Sequence, residues 1–174
     1  MAPYWRYAIE LFPAFKKKRI PIARFICRQR RTTFSLLPIQ LIPYVQYTVG
    51  AVVGTLFVGI GYWRIGQRGF HGASLEVDPE SFVTPWLVTC WLAGVVQGLR
   101  RGHAALRQCY DLDGIHSLSR VGAWEEVAQY FAAFGLKPTV YWLCLLMNLV
   151  ERYSRRTGQF LFGTPSHYRG CVCQ

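Results

Sequence analysis

Hydrophobic and polar positions alternate along this chain in a way that separates two long uncharged stretches from basic flanks. No charged residue occurs between Thr32 and Trp63, and Ser81 to Leu99 is equally bare. Upstream, Ile20, Ile22, Phe25, Ile26, Thr32, Thr33 and Phe34 alternate as β-branched and aromatic side chains do in short strands. Thr48 to Trp63 has helical length, although Gly50, Gly54, Gly59 and Gly61 each weaken it by up to about 1 kcal/mol relative to Ala. A Gly-rich loop is expected from Gly66 to Pro79.

The next helix is the best delimited. Thr84 can cap it, Pro85 suits the first helical position, and Gly102 follows Arg100 and Arg101 as a stop, giving 85–101. Leu87, Trp91, Gly94, Val95 and Gly98 share one face, and Thr89, Gln97, Arg100 and Arg101 are its few polar groups. Downstream, Trp124, Val127, Ala128 and Phe131 repeat at helical spacing, with Glu125, Glu126 and Gln129 facing away and Gly135 closing the pattern. Pro138 opens a further helix through Trp142, Leu145, Leu149 and Tyr153, ended by Gly158. The short link between the two predicts an antiparallel helical hairpin. The expected organisation is a basic arm at 1–19, a β element at 20–43, a helical domain at 44–157 and a C-terminal tail at 158–174.

Charge sharpens this picture. Twenty Lys and Arg against nine Asp and Glu give a net charge of +11 over 174 residues. Residues 1–31 hold Arg6, Lys16, Lys17, Lys18, Arg19, Arg24, Arg28, Arg30 and Arg31 against the single acid Glu10, which is +8 of that total. Such a surface attracts polyanions, meaning nucleic acid or an anionic membrane face.

The uncharged stretches admit a membrane reading as well: two spans near 44–63 and 82–99 with basic cytoplasmic flanks. Pro38, Gln40, Pro43, Gln46 and Pro85 interrupt them, which favours core helices. The N-terminus lacks the apolar run of a secretory signal, since Met1 to Phe15 contains two prolines, Arg6 and Glu10. Six cysteines without such a signal predict a reducing, cytoplasmic compartment.

Catalytic chemistry finds little support. Glu76, Asp78, Glu80, Asp111 and Asp113 form two local clusters that suit turns better than a two-metal centre, and no phosphate-cradling loop or nucleophile constellation occurs, so a non-enzyme without cofactor is expected. Cys90, Cys109 and Cys144 read as buried thiols, Cys171 and Cys173 as terminal, and His71, His103, His116 and His167 as surface or loop residues.

The segment from Ile20 to Leu56 contains RTTFSLLP at 31–38 and Pro43-Tyr44 leading to Tyr47-Thr48. It resembles the zinc-ribbon plus helix-turn-helix proteins associated with bacterial insertion sequences, in which a Cys-x-x-Cys half-ribbon precedes such motifs. The likeness extends loosely through GFHGASLEVDPESFVTPWLVTCWLAGVVQGLRR and QFLFGTPS, covering residues 20–165. The resemblance implies a mainly α, helix-turn-helix-like domain behind a ribbon. It also implies DNA binding in a transposition context, as an accessory or remnant protein, with chemistry supplied by a transposase. The ribbon is degenerate: Cys27 stands alone, Arg30 takes the place of its partner, and no earlier Cys or His supplies another pair, so no metal is expected. Phosphate contacts are expected from Lys16, Lys17, Lys18, Arg19, Arg24, Arg28, Arg30 and Arg31, extended by Arg100 and Arg101. As recognition helix, 85–101 would offer Thr84, Trp86 and Thr89 to base edges.

Overall fold

The computed structural model describes residues 3–115 and 122–162. Among these the chain is mainly helical, with one three-stranded antiparallel sheet of order β1-β2-β3 at the N-terminal end. The strands are β1 (Tyr4–Glu10), β2 (Lys16–Cys27) and β3 (Thr32–Leu36), and the helices are α1 (Val49–Arg64), α2 (Gly69–Glu76), α3 (Pro85–Leu106), α4 (Ala123–Ala133) and α5 (Trp142–Thr157).

The expected arm at 1–19 is therefore not an arm. Tyr4 to Glu10 pairs with Lys16 to Ile22, and the expected boundary at residue 20 falls inside β2. A run of lysines conceals a strand from composition because its apolar partners sit on the neighbouring strand.

α1 is a core helix, with Val49 to Leu56 continuously buried. Its glycines are places of close approach. A Cβ on Gly54 would stand 2.4 Å from the Phe12 ring, and one on Gly59 would stand 2.4 Å from Trp124. Packing against these rings offsets the propensity that each glycine sacrifices. The expected loop at 66–79 instead holds α2, whose own sequence has no apolar stripe. It is fixed from outside: Gly72 lies under the Tyr62 ring, and the Tyr62 hydroxyl donates to Glu76 at 2.5 Å.

α3 begins where expected, with the Thr84 side chain accepting from the Leu87 N–H, but it runs through Gly102 to Leu106. Gly102 is not a stop. It makes room for Leu161 and Tyr153, which a Cβ there would meet at 2.9 and 3.0 Å. The described part of the tail accordingly docks: Leu161 and Phe162 are buried, and the Leu161 carbonyl crosses α3 at Gly98.

α4 ends as predicted. Gly135 takes φ +68°, while its N–H and that of Leu136 close back on the carbonyls of Ala132 and Phe131. α5 starts at Trp142 after a turn that contains Pro138, and ends at Gly158 with φ +67°. The predicted α4–α5 hairpin is not how these helices are held. Both pack on α3, and Phe57 of α1 stands between Phe131 of α4 and Trp142 of α5, with ring centroids at 4.9 and 5.4 Å. The large side chains of α1 and α3 supply the apolar surface that each amphipathic helix needs.

No helix among the described residues is long and apolar enough to cross a membrane. α1, the core of the first supposed span, has 16 residues. At 1.5 Å per residue that is about 24 Å, short of a hydrocarbon core of roughly 30 Å.

Candidate nucleic-acid interface

The register of the sheet assigns every N-terminal side chain to a face, because residues directly opposite in an antiparallel pair point the same way and neighbours alternate. Tyr4 opposes Ile22, Arg6 opposes Ile20 and Ala8 opposes Lys18. Ala8 and Ile22 pack with Leu41, backed by Tyr4, Ile20 and Leu37, which makes this the inner face. The outer face is then Trp5 with Pro21, Tyr7 with Arg19, Ala23 with Leu36 and Phe25 with Phe34; it ends at Lys17 with Ile9, where Ile9 is buried against the helical body.

That outer face is aromatic and basic together. Trp5 is 57% exposed and Phe25 43%, and Tyr7, Phe34 and Leu36 are exposed too. Lys17 lies 4.7 Å from the Tyr7 ring centre, and Arg19 lies 5.7 Å from Trp5 and 5.8 Å from Tyr7. Phe25 and Phe34 stack across the strands at 5.4 Å with planes 18° apart. Beyond them the β2–β3 turn presents Arg28, Gln29, Arg30 and Arg31 to solvent, with Arg31 at φ +50°.

Strand alternation splits the basic run that sequence alone treats as one patch. Lys17 and Arg19 face outward with the rings. Lys16 and Lys18 point to the opposite side, where Lys18 pairs with Glu10 at 3.2 Å. Arg24 also lies on that side, its guanidinium 5.3 Å from the Tyr4 ring. Arg6 leaves the basic surface altogether. It turns inward to donate to the carbonyls of Ile42, at 2.7 Å, and Val45, and burial holds its guanidinium below its usual pKa. It ties the 38–48 loop under the sheet.

The α3 candidates lie elsewhere, on the helical body. Thr84 Oγ1 accepts from the Leu87 N–H at 3.2 Å, and Thr89 Oγ1 donates to the Pro85 carbonyl at 3.0 Å, so both hydroxyls have backbone partners within the helix. Trp86 is exposed. Arg100, expected to extend the phosphate patch, is ion-paired with a carboxylate while its side chain stays 54% exposed. Its Nε and Nη2 donate to the two oxygens of Glu126 at 2.7 and 2.6 Å, and those hydrogen bonds raise its pKa further. Glu126, expected to face away from the core, is 0% exposed because α4 turns it onto α3. Arg101 is exposed on α3 and likewise engages another group.

Other expectations shift similarly. Cys90, Cys109 and Cys144 are exposed, since each falls on the outward side of its helix or turn. His103 is half-buried within α3, its Nδ1 2.8 Å from the hydroxyl of the buried Tyr130. His116, His167, Cys171 and Cys173 lie outside the described residues. The Asp78 and Asp111 side chains accept from the N–H groups of Glu80 and Asp113, as turn carboxylates do. Among the described residues no group of three or more His, Cys, Asp or Glu is placed to hold a metal ion. At the β2–β3 turn, Cys27 followed by Arg28, Gln29 and Arg30 does not fit a structural zinc, which needs four N or S donors.

Comparison with known proteins adds no relative: no family model, no curated protein and no solved structure matches this chain. The site stands on its own geometry. Sequence reading missed the four exposed rings that share a face with Lys17 and Arg19, because Trp5 and Tyr7 join Phe25 and Phe34 there only through the pairing of β1 with β2 and of β2 with β3.

Proposed function

We propose that this chain is a non-catalytic DNA-binding protein that holds phosphates through its N-terminal sheet. One observation carries the reading. Lys16, Lys17, Arg19, Arg24, Arg28, Arg30 and Arg31 are exposed on a single small sheet and have no carboxylate partner among the described residues. Cations left without partners at such density repel one another, and a polyanion relieves that repulsion while releasing its own counterions. The two-stranded β2–β3 ribbon is narrow enough for a DNA major groove, with its arginines at the tip.

The resemblance of residues 20–165 to insertion-sequence-associated proteins supports a transposition context. On that reading the protein is a cytoplasmic accessory, or a remnant of one, beside a separately encoded transposase. The resemblance would match the β2–β3 hairpin to the half-ribbon of those proteins, with Cys27 and Arg30 at two of its ligand positions. α3 stands where the resemblance implies a recognition helix. The sheet is the stronger candidate for contact, because the hydroxyls of Thr84 and Thr89 and the guanidinium of Arg100 already have partners.

Salt titration of duplex binding tests the reading. Each phosphate contact contributes about 0.9 to the slope of log affinity against log salt. The variant Arg28→Gln, Arg30→Gln, Arg31→Asn should flatten that slope by up to about 2.7 if all three touch phosphate, with sequence preference unchanged. Asn is chosen at 31 because it tolerates the left-handed backbone there. Wild-type protein without salt-sensitive DNA binding would refute the proposal.

A further inference from the structure

We propose that the outer face of the sheet binds an unpaired DNA strand, whose bases stack on Trp5, Tyr7, Phe25 and Phe34 while Lys17, Arg19 and the tip arginines meet its phosphates. The inference rests on the DNA-binding reading above and specifies the form of DNA that this face takes.

Phosphate binding explains the cations but not the rings. Four aromatic side chains facing water on one surface lose the burial that would stabilise the fold, and duplex DNA gives them nothing in return. Its bases are already stacked and present only their edges in the grooves. An unpaired strand offers base faces, and stacking on aromatic side chains beside a basic track is how single strands are held without sequence readout.

The geometry fits that use. From Arg19, opposite Tyr7, to Phe25 is six residues along β2, or about 20 Å at roughly 3.3 Å per residue. That length suits a short single-stranded site of roughly four nucleotides, the small end of the known range. Phe25 and Phe34 already form a two-ring stack that a base can continue. Arg19, lying by both Trp5 and Tyr7, offers a planar guanidinium for stacking as well as charge for a phosphate.

Charge complementarity favours a polyanion as the occupant. A second copy of the chain would set one basic face against another. A lipid surface is the rival occupant, because Trp5, Pro21, Ala23, Leu36, Phe25 and Phe34 form one apolar strip with Arg19 and Lys17 only at its Tyr7 end, and the vesicle arm of the test separates the two. Lys17, Arg19 and the Tyr7 hydroxyl could equally meet a ribose 2′-hydroxyl, so the choice of DNA over RNA rests on the DNA-binding reading above and is tested by the oligouridylate.

The test is fluorescence anisotropy with three probes and one competitor at one salt concentration: an oligothymidylate of about 20 nucleotides, long enough for any site in the range of roughly 4–16, the matching oligouridylate, a duplex of equal length, and anionic lipid vesicles as competitor. Wild-type protein should bind the oligothymidylate at least as tightly as the duplex. Trp5→Leu and Phe34→Leu, which keep apolar bulk and remove the ring, should each weaken oligothymidylate binding about tenfold. Duplex binding should move less than twofold, with unchanged circular dichroism. Trp5→Ala and Phe34→Ala repeat the measurement should either leucine variant misfold.

Salt-sensitive duplex binding that exceeds oligothymidylate binding, with silent ring variants, overturns this inference and leaves the DNA-binding reading standing. Equal losses on both DNA forms in folded variants also overturn it. Tighter binding of the oligouridylate, or displacement of DNA by vesicles, removes unpaired DNA as the occupant. Absence of binding to every nucleic acid refutes both proposals at once.

Discussion

Arg100 and Arg19 carry the same guanidinium, yet the helical body and the N-terminal sheet use it in opposite ways. On α3 the group is gripped by both oxygens of a fully buried carboxylate, and nearby Tyr130 is matched to His103. Thr84 and Thr89 bond to their own helix. On the sheet, Arg19 lies over two exposed rings, and the arginines of the β2–β3 turn face solvent. Most buried polar groups in the body have partners, because one without costs about 1–3 kcal/mol, and among the described residues Ser81 Oγ and Trp91 Nε1 are exceptions. The sheet's groups avoid that penalty by remaining in water, which leaves them available to a ligand. A basic residue therefore counts toward binding according to the partner it already has, not its charge alone.

The contrast breaks first at Arg100. Replacing it with Ala leaves the Glu126 carboxylate buried and unpaired, so the fold should lose about 3 kcal/mol or more, seen as a lower urea midpoint. The double variant Arg100→Met, Glu126→Leu should recover most of that loss. A loss in the single variant below about 1 kcal/mol would class the pair with exposed ion pairs and return Arg100 to the candidate phosphate contacts.

A smaller effect is expected where the tail crosses α3. The Cβ introduced by Gly98→Ala would lie 2.2 Å from the Leu161 carbonyl oxygen. Either α3 or the 161–162 segment must shift, at a cost of about 1–3 kcal/mol. Thermal melts should record it, while DNA affinity at low temperature should stay at the wild-type value because the sheet is untouched.

The smallest change sharpens the comparison most. Thr84→Ala removes the N-cap of α3 and should cost about 1 kcal/mol. If the sheet alone contacts DNA, discrimination between duplex sequences should be unaffected. A change in discrimination by this folded variant would restore α3 as a reader of base edges.

Local chemistry was enough to place several features. Thr84-Pro85 starts α3, Gly135 and Gly158 end α4 and α5 in the left-handed conformation, and the N-terminal third carries most of the net positive charge. Caps and stops act on backbone groups within about four residues, so the chain announces them directly. Long-range packing decided the rest. α2 has no apolar stripe and is held by Tyr62, while Gly102 looks like a terminator until Leu161 and Tyr153 occupy the space beside it. Lys16 to Arg19 reads as one basic patch, yet pairing with β1 sends Lys17 and Arg19 to the ringed face and Lys16 and Lys18 to the other. A slip of one residue in that register would exchange the two faces. The sequence by itself determined that the N-terminal region would be basic; the tertiary structure decided which of its cations stand beside aromatic rings, because side-chain direction in a sheet is set by the partner strand.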